Sequence, residues 1–129
     1  MASITKDIPL AVDAATAWNA IRDVGRPHLV FRGVLTDARI EDDDRIVTFA
    51  NGMVVRELIV DVDDSRRRLA YSVVDGTFTH HHATFSIHPE DDGTSRIEWV
   101  ADLLPDDAAP MVDDLMGQGL AAAAATLGG

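Results

Sequence analysis

Three side chains in the middle of the chain have the types that proton transfer or polar recognition needs. They are Glu57, Tyr71 and His81, with Trp99 beyond them as an apolar wall. A carboxylate enclosed by apolar residues has its pKa raised, and a neighbouring imidazole partly offsets the rise, so the pair suits general acid/base work. The plainer alternative is that Glu57 and His81 satisfy one another or hold a ligand hydroxyl, because perturbed pairs are also structural. The run His80-His81-His82 invites a metal reading, but consecutive strand residues face opposite ways. His80 and His82 alone fall short of the three or four ligands a zinc site takes. No metal is expected, and the run reads as histidines on a solvent face. The absence of cysteine excludes disulfides, thiolate metal sites and a cysteine nucleophile. Neither a GxSxG elbow nor a phosphate loop is present, and no cofactor is expected.

The elements that must position these residues are legible from pattern. Residues 2 to 10 alternate in character and read as a first strand. Asp13 is a plausible N-cap for AATAWNAIRDV, in which Ala14, Ala17, Trp18 and Ile21 recur at helical spacing; Gly25 reads as its C-cap. Trp18 on that stripe reads as a core anchor. Pro27 opens a short second helical turn through Phe31. From Val34 onward the signal is β: Val34 to Glu41, Arg45 to Ala50, Met53 to Val62, Arg67 to Val74, Thr79 to His88 and Ser95 to Leu103. The turns between them are Asp42-Asp43-Asp44, Asn51-Gly52, 63 to 66, Asp75-Gly76 and 89 to 93. Regular strands with turn chemistry between them predict an antiparallel meander rather than βα units.

After Pro105, Asp106 is a candidate N-cap for a long last helix carrying Val112, Leu115, Met116, Leu120, Ala123 and Leu127 on one side, ended by Gly128-Gly129. Asp106, Asp107, Asp113 and Asp114 would favour the positive end of its dipole, and Pro110 is tolerable in the first turn. Gly117 and Gly119 each cost about 1 kcal/mol in a helix interior, so close approach to the sheet, a kink or room beside a ligand is expected there. No internal repeat is visible, and 1–129 reads as a single domain.

Alternation assigns faces. Leu69, Tyr71 and Val73 share one face of their strand, and His81, Ala83, Phe85 and Ile87 share one face of theirs. Ile97, Trp99, Ala101 and Leu103 are the apolar set of the last strand. In Met53 to Val62 the pattern conflicts with the chemistry. Val54, Leu58, Val60 and Val62, with Arg56 among them, are more apolar than Val55, Glu57, Ile59 and Asp61, so pattern alone sends Glu57 to solvent.

At 129 residues, 47% hydrophobic and 26% charged, the chain is long enough to bury one real core and does not look disordered. With aromatics at only 5%, that core must rest on aliphatic residues. A net charge of −11, from 22 acidic against 11 basic residues, argues against nucleic acid and anionic membrane surfaces as partners. No signal peptide and no run of roughly 20 apolar residues is seen, so a cytoplasmic location is expected.

The order strand, helix, short helix, about six strands, long helix resembles the helix-grip superfamily of START and pollen-allergen-like proteins. Within it, the chain is most similar to the SRPBCC polyketide cyclase/dehydrase-like branch. The segments that carry the resemblance are AATAWNAIRDV, FANGMVVRELIVDVDDSRRRLAYSVVDG and SRIEWVADLLP. The resemblance implies an α+β fold, a curved antiparallel sheet of six to seven strands gripping the C-terminal helix, with a cavity between them. It also implies that Glu57 faces that cavity. The expected function is binding of a small hydrophobic or aromatic molecule there; the alternative is a cyclase/aromatase-type enzyme with Glu57, His81 and Tyr71 handling protons. Expected ligand contacts are Phe49, Phe85 and Trp99 as walls, Val55, Ile59 and Val73 from the sheet, and Leu115 and Met116 from the last helix. A homodimer stays open.

Overall fold

A computed structural model of the chain describes residues 1–74, 76 and 78–128. The expected turn at Asp75-Gly76 and the terminal Gly128-Gly129 each include a residue, Asp75 and Gly129, that lies outside the described residues.

The first strand, β1 (Ala2–Leu10), leads into helix α1 (Ala14–Ile21) and a 3-10 turn at Pro27–Leu29. Six strands follow: β2 (Leu35–Glu41), β3 (Asp44–Phe49), β4 (Val54–Asp63), β5 (Arg68–Val73), β6 (His80–Pro89) and β7 (Ser95–Leu104). A 3-10 turn at Asp106–Ala108 then enters helix α2 (Ala109–Thr126). The strands form one antiparallel sheet in the order β1-β7-β6-β5-β4-β3-β2, so the meander closes by returning β1 to the side of β7. Helix α1 buries Ala14, Ala17, Trp18 and Ile21, the stripe its spacing predicts. Helix α2 buries Val112, Met116, Gly119, Leu120 and Ala123. This is the α+β helix-grip arrangement that the resemblance implies.

Local chemistry explains most boundaries. Asp13 caps α1 by accepting from the Thr16 amide at 2.8 Å. Asp42 and Asp43 both sit at positive φ, 52° and 69°, between the paired residues Glu41 and Asp44, which makes a tight two-residue hairpin from residues that tolerate the left-handed region. At the β3–β4 turn, Gly52 takes φ 91° and Asn51 accepts from the Met53 amide at 2.9 Å.

Two helix ends differ from expectation. Helix α1 stops at Ile21, with the Arg22 amide donating to the Trp18 carbonyl, and Gly25 is not among the positive-φ glycines, so it is not a C-cap. The Arg22 side chain joins Trp18 Nε1 in donating to Asp64 just past the helix end. Asp106 is not the N-cap of α2. It begins the 3-10 turn behind Pro105, and the cap position is Ala108, with no side-chain hydrogen bond. Asp113 and Asp114 therefore fall beyond the first turn of α2, where the dipole gives little, and only Asp106 and Asp107 stand before it. The two helical glycines have different reasons. A Cβ at Gly119 would stand 3.0 Å from the Trp99 ring, so this glycine lets α2 ride on Trp99, whereas Gly117 faces open space.

Strand β4 resolves its conflict against the apolar pattern. Val54, Leu58 and Val60 are exposed, at 60%, 43% and 50%, while Glu57 is buried at 7%. The cause is register. Glu57 sits directly opposite Arg45 on β3 and Val73 on β5, both on the concave face, and a one-residue slip of β4 would break both hairpins at once. Past Ile59 the ladder shifts by one residue, a bulge that leaves Val60 unpaired and bends the strand around the core.

Candidate functional site

The rungs of the sheet build the site from the edge inward. Arg45 (β3) faces Glu57 (β4), Ile59 faces Tyr71 (β5), Tyr71 faces Ala83 (β6), and Phe85 faces Trp99 (β7). His81 enters the same concave face from the start of β6, opposite Leu103, and is buried, while His80 and His82 point to the outer face. Aromatic rings make a continuous wall: Phe31 lies 5.5 Å from Phe85, Phe85 4.5 Å from Trp99, and Tyr71 6.1 Å from Phe85.

The polar groups on this face do not pair as the sequence suggests. Glu57 does not bond His81. Its carboxylate accepts from Arg45 Nε at 2.8 Å, and both side chains are almost wholly buried, at 9% and 5% exposure. The Arg45 guanidinium also lies 5.3 Å from the Tyr71 ring centroid, over its face. Tyr71 Oη accepts from Trp99 Nε1 at 3.2 Å, which leaves the phenolic proton to be donated. His81 is held by rings, with Tyr71 at 6.2 Å and Phe78 at 4.8 Å, and its buried Nδ1 has no hydrogen-bond partner among the described residues.

Burial sets the protonation of all three. It pushes the Glu57 carboxyl above the ordinary carboxylate range, and the charge and hydrogen bond of Arg45 pull it part of the way back. Burial also raises the Tyr71 phenol far above its usual value, with the Glu57 charge adding to the rise, so it stays a neutral donor. Burial lowers His81, so its imidazole is neutral at pH 7.

Two small, partly open cavities, of about 50 and 60 Å³, lie between the concave face and α2, the second with exposed Met111 in its wall. Both are lined by Glu57, Tyr71, Trp99, Phe49 and Leu115. Phe85 and Arg45 line the first; Val55, Val73, Met116 and His81 line the second. Of the contacts expected from sequence, Ile59 alone lines neither; it packs on the core beside the bulge. Arg45, Phe31 and Phe78 were missed. Arg45 was within reach of the same logic, because it alternates with Val47 and Phe49, and the Asn51-Gly52 turn sets it opposite Glu57.

The family described as polyketide cyclase / dehydrase and lipid transport matches residues 1–128. The chain belongs to that family. No curated protein matches the sequence of this polyketide cyclase / dehydrase and lipid transport family member. Among solved structures it is similar to a Thermobifida fusca protein at 24% identity, covering 96% of this chain and 91% of that one with a TM-score of 0.79. It is also similar to the Bacillus cereus protein XoxI, at 16% identity over 98% and 96% of the two chains with a TM-score of 0.90. A third neighbour is norcoclaurine synthase from Thalictrum flavum, solved with dopamine and hydroxybenzaldehyde, at 20% identity over 98% and 83% with a TM-score of 0.74. At these identities the likeness concerns the fold. No helix among the described residues is long and apolar enough to cross a membrane.

Proposed function

We propose that this family member binds a small, largely apolar molecule between the sheet and α2, with one polar group of the ligand meeting His81, Tyr71 and Glu57. The observation that carries the reading is His81, which lines the second cavity and whose buried Nδ1 has no hydrogen-bond partner among the described residues. An unsatisfied buried nitrogen costs about 1–3 kcal/mol, a cost that a ligand hydroxyl would relieve. Tyr71 offers a proton and Glu57 a carboxylate in the same chamber, so a group that both donates and accepts fits better than a bare hydrocarbon.

Native mass spectrometry of freshly purified protein is expected to show a co-purifying small molecule, and added 2-naphthol is expected to bind about tenfold more tightly than naphthalene, since one good hydrogen bond contributes about 1–1.5 kcal/mol. Equal affinity for the two, with nothing co-purifying, would remove the polar part of the reading.

A second reading is an enzyme that moves a proton at an enolisable ketone, with Glu57, His81 and Tyr71 as the proton handlers. It is favoured by the raised carboxyl of Glu57 beside the neutral imidazole and phenol. Glu57→Gln is expected to abolish turnover of such a substrate and its bell-shaped pH profile while 2-naphthol still binds measurably. If turnover survives Glu57→Gln, the carboxylate is not the base.

A further inference from the structure

The strands at the two ends of the sheet, β1 and β2, each have a neighbour on one side only. An open edge presents unpaired main-chain donors and acceptors, which proteins either blunt or use. The β1 edge is blunted: Pro9 has no amide to offer, and Lys6 reaches over to Asp113 on α2 at 2.9 Å. Strand β2 carries no proline. Its hairpin with β3 closes on the pair Glu41–Asp44, so the alternation of an antiparallel ladder turns the main-chain groups of Glu41 and Arg39 to β3. By the same alternation Ile40 and Ala38 turn theirs to the open side. Two apolar side chains are left in water nearby. Ile40 of β2 itself is 48% exposed, and Leu29 is 44% exposed on the 3-10 turn that packs against β2.

We infer that β2 pairs antiparallel with β2 of a second copy of this chain, Ala38 facing Ala38 across a two-fold axis, so that the two sheets join into one. The charges on the strand select this register. With Ala38 opposite itself, Asp37 meets Arg39 of the second copy and Arg39 meets its Asp37, and every residue of Leu35–Glu41 stands opposite another strand residue. A shift by two residues ruins the match in either direction. With Ala38 opposite Ile40, Arg39 faces Arg39 and Asp37 faces Glu41; with Ala38 opposite Thr36, Asp37 faces Asp37. With Ile40 opposite itself, only the last three strand residues pair, and Asp37 faces Asp43 at the turn. Both charged side chains of the matched pair are available. Asp37 and Arg39 are exposed, and Asp37 has no ion-pair partner among the described residues. Arg39 holds only Glu41, at 3.3 Å, whose other oxygen already accepts from Arg56 at 2.8 Å. Charges on an edge ordinarily discourage pairing; here they discourage every register but this one. With a charge of −11 on each copy and one strand pair to hold them, the dimer is weak, with Kd on the order of 10–100 µM.

Sedimentation velocity of the purified chain from about 5 to 500 µM spans that range and is expected to show monomer passing into dimer. Arg39→Asp sets carboxylates opposite one another at two places and is expected to weaken the dimer by about tenfold. Asp37→Arg combined with Arg39→Asp restores opposite charges at both places and is expected to bring Kd back to within about threefold of wild type. Both positions are exposed, and the double variant keeps the composition of the strand, so the fold is not at stake. The chain has no cysteine, so Ala38→Cys carries a single thiol, placed at the two-fold axis, and a short bis-maleimide is expected to join two copies through it. A chain that stays monomeric throughout, a dimer untouched by Arg39→Asp, or a double variant as weak as the single one would each overturn the pairing. So would a dimer that the thiol at position 38 does not cross-link, which would place the contact on another face.

Discussion

Arg45→Met is expected to lower the stability of the protein by about 3–5 kcal/mol, the cost of leaving one member of a buried ion pair uncompensated. Arg45 and Glu57 are both more than nine-tenths buried, their bond is 2.8 Å, and they share their surroundings with Tyr71, Val47 and the aromatic wall. The double variant Arg45→Met, Glu57→Leu is expected to recover most of the loss, because two apolar residues of similar volume do without the desolvation cost that the pair carries. Urea denaturation of the wild type, both single variants and the double variant closes the cycle; a double variant as unstable as Arg45→Met alone would mean that packing, not charge, is what Arg45 supplies.

The pH dependence carries a definite sign. The carboxyl of folded Glu57 lies above the ordinary value of 4.5, so its contribution to stability is fully present below about that pH and is lost as pH rises through the folded value. Removing the guanidinium takes away the force that pulls the folded value back down, so the loss on ionisation deepens. Arg45→Met should therefore be most destabilised near pH 8 and should draw closer to wild type near pH 5, where the carboxyl can take up its proton.

His81→Phe is expected to do the opposite to stability and to harm recognition. The imidazole stands among Tyr71 and Phe78 with a buried nitrogen that has no partner among the described residues, and a phenyl ring keeps the ring contacts without that cost. A gain of about 1–2 kcal/mol is expected, together with loss of the preference for 2-naphthol over naphthalene. Here too the sign with pH follows from the direction of the shift. Folded His81 titrates below its ordinary value of 6.5, so as pH falls through that value the unfolded chain takes up a proton that the folded one does not, and wild type loses stability. The advantage of His81→Phe should then be larger at pH 5.5 than at pH 8. A variant that is less stable, with its ligand preference unchanged, would show His81 to be a packing residue. A protein that is stabilised by losing a residue, and loses selectivity with it, has kept that residue for the ligand.

What the sequence determined by itself was the scaffold and most of the faces. Turn chemistry at Asp42-Asp43 and Asn51-Gly52 punctuates the strands, and alternation puts Tyr71, His81, Phe85 and Trp99 on one side because a pleated strand has a period of two. These are local effects, carried by neighbours in the chain. The direction of Glu57 was not local. The apolar pattern of β4 favoured the other face, and only its register against Arg45 and Val73 turned the carboxylate inward. Its partner was likewise decided by tertiary structure: Arg45 lies 12 residues away, and reaches Glu57 only because the hairpin folds them opposite one another. The same holds for the size of the chamber. Side-chain types announce a cavity between a curved sheet and a helix, but how far Phe49, Leu115 and Trp99 fill it depends on how closely α2 approaches, and that distance is set where Gly119 meets the Trp99 ring.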